Sequence, residues 1–438
     1  MSARDITPPE RLPVLVQGAR TAFVESGGAF GSLMSYELGA WAIAGLLDKA
    51  GLDGARIDVV SLGTIVHEVR TSNVARDAML RAGLPATIPA YTVSMAGLSP
   101  LIAITGLCDM IAAGRINAGI AGGTESFSDM PVRLSQNLRR ALFKLYRSSS
   151  SGNWLSVLGS LRPRDLLLDL PSAADFTTGK TMGDLCEAMA RKFGVRRNES
   201  DEYAANSHRK AIEAWTHGHY DDDIVPIQGA SAQEPITRDN SPRRDASPEN
   251  LARLDPVFDR NSGVITAGNA SRFTDGAAVV LVSSLAAARE LELEPKAVLR
   301  DYVFTGVADL ETEALCGPAM SIPQLLVRND LSIKDVDVWE LHEAFASQIL
   351  VNQVCLGSDE FAGERLGLDR APGAIPLDKL NAWGGSLALG NPFSATGVRL
   401  MMTASRRLVS TGQRFAIVSS CAGGGLGAAV LLENAALL

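Results

Sequence analysis

The chain has 438 residues, a length that divides into about three lobes of ordinary domain size. Hydrophobic residues at 46% and charged residues at 21% are globular proportions, which exclude a disordered or fibrous chain. The net charge of −8, from 41 cations against 49 anions, argues against nucleic acid as a main partner, because neutralising phosphates needs clustered cations.

Glycine is abundant (41 residues) and aromatics scarce (5%), a balance that suits a layered α/β enzyme with many tight turns. No apolar run reaches the ~18 residues of a membrane span. The nearest, Pro100 to Gly114, contains Asp109. Residues Met1 to Pro13 carry charges and three prolines but no apolar centre, so no signal peptide is expected. The cysteines Cys108, Cys186, Cys316, Cys355 and Cys421 are odd in number and scattered, without Cys-x-x-Cys spacing. A reducing, cytoplasmic setting is expected, with no metal site.

In chain order, Leu12 to Val16 reads as a short strand running into Gly18-Ala19-Arg20-Thr21. Tyr36 to Ala50 has helical spacing and stops at Gly51, and Val59 to Val66 reads as a buried strand. Pro100 to Ala113 is a mostly apolar helix closed by Gly114-Arg115, and Asn117 to Ala121 is a strand entering Gly122-Gly123-Thr124-Glu125-Ser126. Strands alternating with helices predict a parallel-rich, covered sheet. Helix, Gly-Arg-type turn, strand and glycine cluster return about 300 residues later as Ala395 to Val409, Thr411 to Arg414, Phe415 to Ser419, and Cys421 with Gly423, Gly424 and Gly425. The pattern suggests a repeat, although any two βα units share such syntax.

The middle differs. Between Pro131 and Asp169 stand seven cations (Arg133, Arg139, Arg140, Lys144, Arg147, Arg162, Arg164) and two anions, a local +5 in an acidic chain. Leu138, Leu142, Leu145 and Tyr146 share one helical face beside four of those cations. Such a helix can lie on anionic lipid, dock on a partner, or simply cover the core. Residues Glu199 to His219 read as a helical hairpin and Asp221 to Asn250 as polar loop, so 128–250 is the candidate inserted domain.

Four clusters can carry chemistry. At the strand-to-helix elbow Tyr91 to Ser99, Ser94 and Ser99 are the only candidate nucleophiles; no histidine is near in sequence, and helix capping explains them as well. In Glu340-Leu341-His342-Glu343-Ala344-Phe345-Ala346, His342 leaves the strand Val336 to Trp339; the segment is not a His-Glu-x-x-His zinc motif. Trp383 to Phe393, with Gly384, Gly385 and Gly390, reads as a ligand-contact loop. Cys421 sits ahead of three glycines whose N–H groups can lower a thiol pKa; a buried inert cysteine is the alternative.

In this order the clusters resemble the thiolase family over essentially the whole chain. The resemblance rests on Arg20-Thr21, Ala121 to Ser126, Thr181-Met182-Gly183, Thr266 to Ser271 with Thr274 to Ala278, His342 to Ala346, Gly384-Gly385, and Cys421 with its glycines. The His-Glu-Ala-Phe variant, the Thr178 to Gly183 stretch and the basic insert look most like the β-subunit of trifunctional fatty-acid-oxidation complexes. The resemblance implies an α/β, five-layered α-β-α-β-α fold from two βαβαβαββ halves plus an inserted loop domain. The first half would take 1–127 and 251–290, the insert 128–250, and the second half 291–438.

It further implies a homodimer or dimer of dimers, coenzyme A thioesters as substrate or ligand, and a hydratase/dehydrogenase-type partner subunit. The insert at 131–169 is expected to touch that partner or a membrane. In the family pattern an elbow cysteine takes the acyl group, a Gly-His-Pro histidine activates it, and a second cysteine moves the α-proton. Here the elbow position is Gly97 and the histidine position is Asn391, in Gly390-Asn391-Pro392. A cysteine acyl-enzyme therefore cannot form at Gly97.

The backbone N–H groups of Gly97 and Gly423 can still form an oxyanion hole, and the Asn391 amide can donate to a carbonyl oxygen. Cys421 and His342 remain as a candidate acid/base and water-positioning pair. Ser271 and Met182 match ligand-contact positions, although Arg272 follows Ser271 where a glycine is common. Three readings follow: Claisen-type chemistry without an acyl-enzyme; a non-catalytic acyl-CoA-binding or scaffolding subunit; and a nucleophile moved to Cys421, Ser94 or Ser99.

Overall fold

The computed structural model describes residues 7–147, 159, 161–169, 174–229 and 234–438. Two halves with the same order of elements build it. The first runs β1 (Pro13–Arg20), α1 (Ser35–Ala50), β2 (Val59–Gly63), α2 (Val74–Arg81), β3 (Ala90–Val93), α3 (Ser99–Ala112) and β4 (Ala118–Glu125). After an excursion containing α4 (Gln136–Tyr146), α5 (Met182–Lys192) and α6 (Arg197–Thr216), it closes with β5 (Thr274–Ser284). The second runs β6 (Ala297–Gly306), α7 (Gly317–Arg328), β7 (Val338–Leu341), α8 (Ala346–Leu356), α9 (Thr396–Thr411), β8 (Phe415–Ala422) and β9 (Leu426–Asn434).

Strand order shows the duplication. In the first half β3, β2 and β4 pair in parallel, and β5 and β1 follow antiparallel. In the second, β7 and β8 are parallel, and β9 and β6 follow antiparallel. The counterpart of β3 shrinks to one parallel bridge, Leu380 with Trp339. β1 and β6 join the halves antiparallel, at Val14–Val298 and Leu15–Ala297.

Five layers follow from what each helix buries. One core holds α1 and α2 residues such as Leu38, Ile43 and Met79 against one side of the first sheet. Another holds α7 and α8 residues such as Ile322, Leu325 and Ile349 against the outer side of the second. Between them α3 and α9 share one core with both sheets, through Leu101, Ile104, Leu107, Val398, Met401 and Leu408. α3 is apolar nearly all round because it is covered on every side. For the same reason β5, flanked by sheet and helices, is buried along all eleven residues.

Three expectations need correction. The strand Val59 to Val66 ends at Gly63, because the N–H groups of Ile65 and Val66 turn to the Glu125 carboxylate instead of a neighbouring strand. Residues 199–216 form one straight stretch of α6 rather than a hairpin; the turn lies earlier, where Gly194 takes φ 71° between α5 and α6. The apolar face of α4 is split: Leu145 is buried with Ala141, whereas Leu142 and Tyr146 are exposed.

Candidate active site

The chain turns that end the central strands meet at one end of the layers. The first is the elbow. Ser99 accepts a hydrogen bond at Oγ from Met95 N–H (2.8 Å) and donates to Ala96 C=O (2.6 Å), clamping the turn into α3. Ser99 is thus the structural cap that one sequence reading allowed. Ala96 is held at φ 46°, a left-handed conformation that costs a non-glycine residue about 1–2 kcal/mol. Next comes Gly97, half-buried; a Cβ placed there would meet only the Ala422 Cβ at 3.5 Å and the Cys421 carbonyl at 3.8 Å. Gly97 and Cys421 are therefore neighbours.

Cys421 ends β8, and the chain reverses through Gly423, Gly424 and Gly425 so that Ala422 pairs with Leu426. Gly424 and Gly425 take φ 79° and 73°, which L side chains rarely adopt, so these glycines serve the tight turn. A Cβ on Gly423 would lie 3.9 Å from Met182 Sδ, which places Met182, at the start of α5, beside the hairpin. Of the two readings of Cys421, burial goes against the lowered pKa: it pushes the thiol up to about 12, so the group is a thiol and not a thiolate near pH 7.

His342 follows β7, whose parallel neighbour is β8, and donates its backbone N–H to Ser419 C=O (2.9 Å). Its Nδ1 is 2.8 Å from Ser386 Oγ, which also accepts from Arg399 (2.9 Å). Burial, then the Arg399 charge, lowers the His342 pKa to about 3, so the ring is neutral near pH 7. Its Nε2 lies 3.4 Å from Asn391 Nδ2. Asn391 is buried; its Oδ1 accepts from Thr396 Oγ1 (2.8 Å), which aims the amide N–H toward Ser271 Oγ (3.4 Å) and His342. Of the sequence candidates, Asn391, His342 and Ser271 thus converge in one group. Gly97, Cys421, Gly423 and Met182 form a second at the adjoining strand ends.

The motif residues around the site are mostly scaffold. Asn269 holds Thr266 N–H, Asp201 and Val264 C=O through its side chain, and its carbonyl accepts from Ala346 N–H. Ser271 N–H in turn donates to Ala344 C=O (2.9 Å), locking the Thr266–Ser271 loop to the His342–Phe345 loop. Arg20 is buried in a bidentate pair with Asp239 (2.7 and 2.9 Å), tying β1 to the excursion. Gly384 and Gly385 stand where the chain packs closely. A Cβ on Gly384 would strike Ala211 at 2.6 Å and one on Gly385 the Glu343 carboxyl at 2.2 Å, so both permit close packing.

Two features escaped the sequence reading. Glu125, fully buried at the end of β4, accepts from Ser394 Oγ (2.8 Å), Thr64 Oγ1 (3.1 Å) and Val66 N–H (2.8 Å), fastening the Asn391–Ser394 segment to the loop after β2. Burial raises its pKa despite those donors. The second is His67, whose Nε2 lies 3.3 Å from Ser94 Oγ. Only the parallel pairing of β2 with β3 brings these residues together.

A site of this layout, on two duplicated βαβαβαββ halves, belongs to the thiolase family. The family descriptions "Thiolase, N-terminal domain" and "Thiolase, C-terminal domain" match residues 13–286 and 293–434, and the chain is a member. Within the family it is of the fatty-acid-oxidation β-subunit type. It is 40% identical over 420 residues to the mitochondrial trifunctional enzyme subunit beta of Mus musculus, covering 96% of this chain and 88% of that protein. It is also 40% identical to a probable 3-ketoacyl-CoA thiolase of Caenorhabditis elegans (96% and 93% covered). Among solved structures, the Bacillus anthracis acetyl-CoA acetyltransferase superposes with a TM-score of 0.81 at 30% identity (97% and 98% covered).

Proposed function

We propose that this chain binds acyl-CoA or β-ketoacyl-CoA and makes or breaks a C–C bond by Claisen-type chemistry without a cysteine acyl-enzyme. The observation that carries this reading is Gly97: the residue at the elbow, against Cys421 and Ala422, has no side chain to acylate. The relatives named as 3-ketoacyl-CoA thiolase and trifunctional enzyme subunit beta support the thioester substrate class.

The roles follow from protonation. In cleavage the water held at His342 adds to the β-carbonyl, the Cα–Cβ bond breaks, and the acyl group leaves as a carboxylic acid. Cys421, a thiol with pKa about 12 and so a poor resting base but a competent donor, delivers a proton to the carbanion left at the α-carbon of the thioester. The Asn391 N–H and the backbone N–H groups of Gly97 and Gly423 stabilise the enolate oxygen that carries the charge meanwhile. Neutral His342 positions a water or the thioester oxygen beside Asn391 and cannot act as an acid near pH 7. Ser271 and Met182 contact the pantetheine arm.

The test is cleavage of acetoacetyl-CoA in D2O, read as deuterium uptake at the α-carbon of the acetyl-CoA released. Uptake by the wild type, lost in Cys421→Ala, supports the reading. Tight binding with no uptake and no turnover assigns the chain to the second reading, a non-catalytic acyl-CoA-binding or scaffolding subunit.

We further infer a homodimer or dimer of dimers and a hydratase/dehydrogenase-type partner subunit. β3, with Tyr91 exposed, ends the sheet and offers an edge to a second copy. The name "trifunctional enzyme subunit beta" supports a multi-subunit setting. A cytoplasmic location is supported by five free, buried cysteines. Light scattering and co-purification test the assembly.

A further inference from the structure

His342 stands at the end of a chain of hydrogen bonds that starts on a buried cation. Arg399, in the first turn of α9, has no exposed surface. Its Nη1 lies 3.8 Å from Glu340 Oε2, while Glu340 Oε1 accepts from Arg407 (2.7 Å). Neither Nη1 nor Nε of Arg399 has a hydrogen-bond partner among the described residues. Its side-chain hydrogen bond runs from Nη2 to Ser386 Oγ (2.9 Å). Burying a guanidinium with two donor nitrogens idle is costly, which calls for a role beyond packing.

The hydrogen positions follow by elimination. A guanidinium only donates, so Ser386 Oγ accepts from Arg399. Among the described residues the other partner of that hydroxyl is His342 Nδ1 (2.8 Å), and Ser386 is fully buried, so its own hydrogen goes there. Bonds in such a chain strengthen one another: donation from Arg399 makes the hydroxyl a better donor. Nδ1 is then an acceptor, and the neutral ring, its pKa lowered to about 3, carries its hydrogen on Nε2. Thr396 Oγ1 holds the Asn391 oxygen (2.8 Å) and turns the amide nitrogen the other way, 3.4 Å from His342 Nε2. Two donors therefore meet with no acceptor between them among the described residues, an arrangement that takes up an oxygen. Thr396 and Arg399 are three residues apart on α9 and share a face, so one helical turn supports both donors.

We propose that Ser386 and Arg399 are positioning residues for His342: they hold the ring as the Nε2–H tautomer, so that it presents a hydrogen, not a lone pair, to the oxygen bound beside Asn391. Neither residue touches the substrate. Arg399 acts through the Ser386 hydroxyl, and its charge opposes a second proton on the ring. The proposal rests on the reading of the site given above, in which that oxygen is the water of the cleavage step or the thioester carbonyl. The relay itself is set in the free protein, before any ligand enters.

The experiment reads the imidazole nitrogens of the ligand-free full chain by NMR, after labelling with heavy nitrogen; protonated and bare nitrogens are resolved without turnover. The chain has five histidines, and the signals missing from His342→Gln assign His342. The wild type is expected to show a neutral ring at pH 7 with its hydrogen on Nε2. Ser386→Ala removes the donor to Nδ1 and leaves Asn391 to donate into Nε2, so the hydrogen moves to Nδ1. Arg399→Met raises the His342 pKa, because the charge opposing the imidazolium is gone, and Arg399→Lys brings it back down. In the D2O cleavage assay Ser386→Ala lowers kcat about 10²–10³-fold, the worth of one misdirected donor, while acyl-CoA binding persists. A wild-type ring with its hydrogen on Nδ1, a Ser386→Ala ring that keeps it on Nε2, or Ser386→Ala with wild-type kcat overturns the proposal. Should Arg399→Met fail to fold, the wild type and Ser386→Ala decide alone. The expected tautomers in a protein that takes up no deuterium support the relay and overturn the reading of the reaction.

Discussion

Gly97→Cys is the perturbation that reports most on the site. The new Cβ meets nothing nearer than 3.5 Å, and Gly97 is not among the positive-φ residues, so the substitution fits without moving the elbow. Replacing a glycine where a side chain fits restrains the unfolded chain by about 0.4–1 kcal/mol, so stability should hold or rise slightly. Asn391, at the histidine position of the family pattern, donates but cannot take a proton, and the introduced thiol with an ordinary pKa is only about 3% thiolate at pH 7. Gly97→Cys should therefore react with iodoacetamide and take an acyl group from acyl-CoA slowly, read as a mass adduct. Adding Asn391→His restores a base, worth about 10²–10⁴ in rate. A folded Gly97→Cys protein that iodoacetamide leaves unmodified would refute the placement of Gly97 at the site. Wild-type thiolysis as fast as the double variant's would refute the role given to the missing thiol.

Asn391→Asp replaces the enolate donor with a repelling carboxylate, and α-deuteration should fall about 10²–10³-fold while acyl-CoA binding persists, measured by calorimetry. Ser394→Ala leaves the buried Glu125 one donor short and should cost about 1–3 kcal/mol, seen as a lower urea midpoint at unchanged m-value. The His342 pKa is about 3 folded against an ordinary 6.5, so the unfolded chain takes up the proton first. The stability this residue contributes is whole above pH 6.5 and is lost as pH falls toward 3, by up to about 1.4 kcal/mol per pH unit. His342→Gln should flatten that acid slope in denaturation series from pH 7 to 4; an identical slope in both proteins would count against the buried, neutral ring.

Patterning made the layers legible: the apolar α3 and the return of helix, turn and strand at Ala395 to Ser419 are one-dimensional signals of two-sided cover. What the chain order hides is contact across sequence. Ser94 lacks a histidine along the chain, yet two parallel strands set His67 beside it. Glu125 reads as the end of a glycine-rich strand and proves to be the anchor of the Asn391 loop. Glycine signals were ambiguous for a physical reason: the absence of Cβ that admits a ligand also admits Ala211 against Gly384. Burial governs the thiol of Cys421, and burial depends on the whole fold, so its raised pKa could not be read from three neighbouring glycines.

The account stands most directly on one measurement with the wild-type protein: intact mass after incubation with acetoacetyl-CoA, alongside loss of the β-ketothioester with and without free coenzyme A. No covalent adduct and no coenzyme-A-dependent thiolysis are predicted. An acyl adduct on Ser94, Ser99 or Cys421, or thiolysis that rises with free coenzyme A, would contradict it.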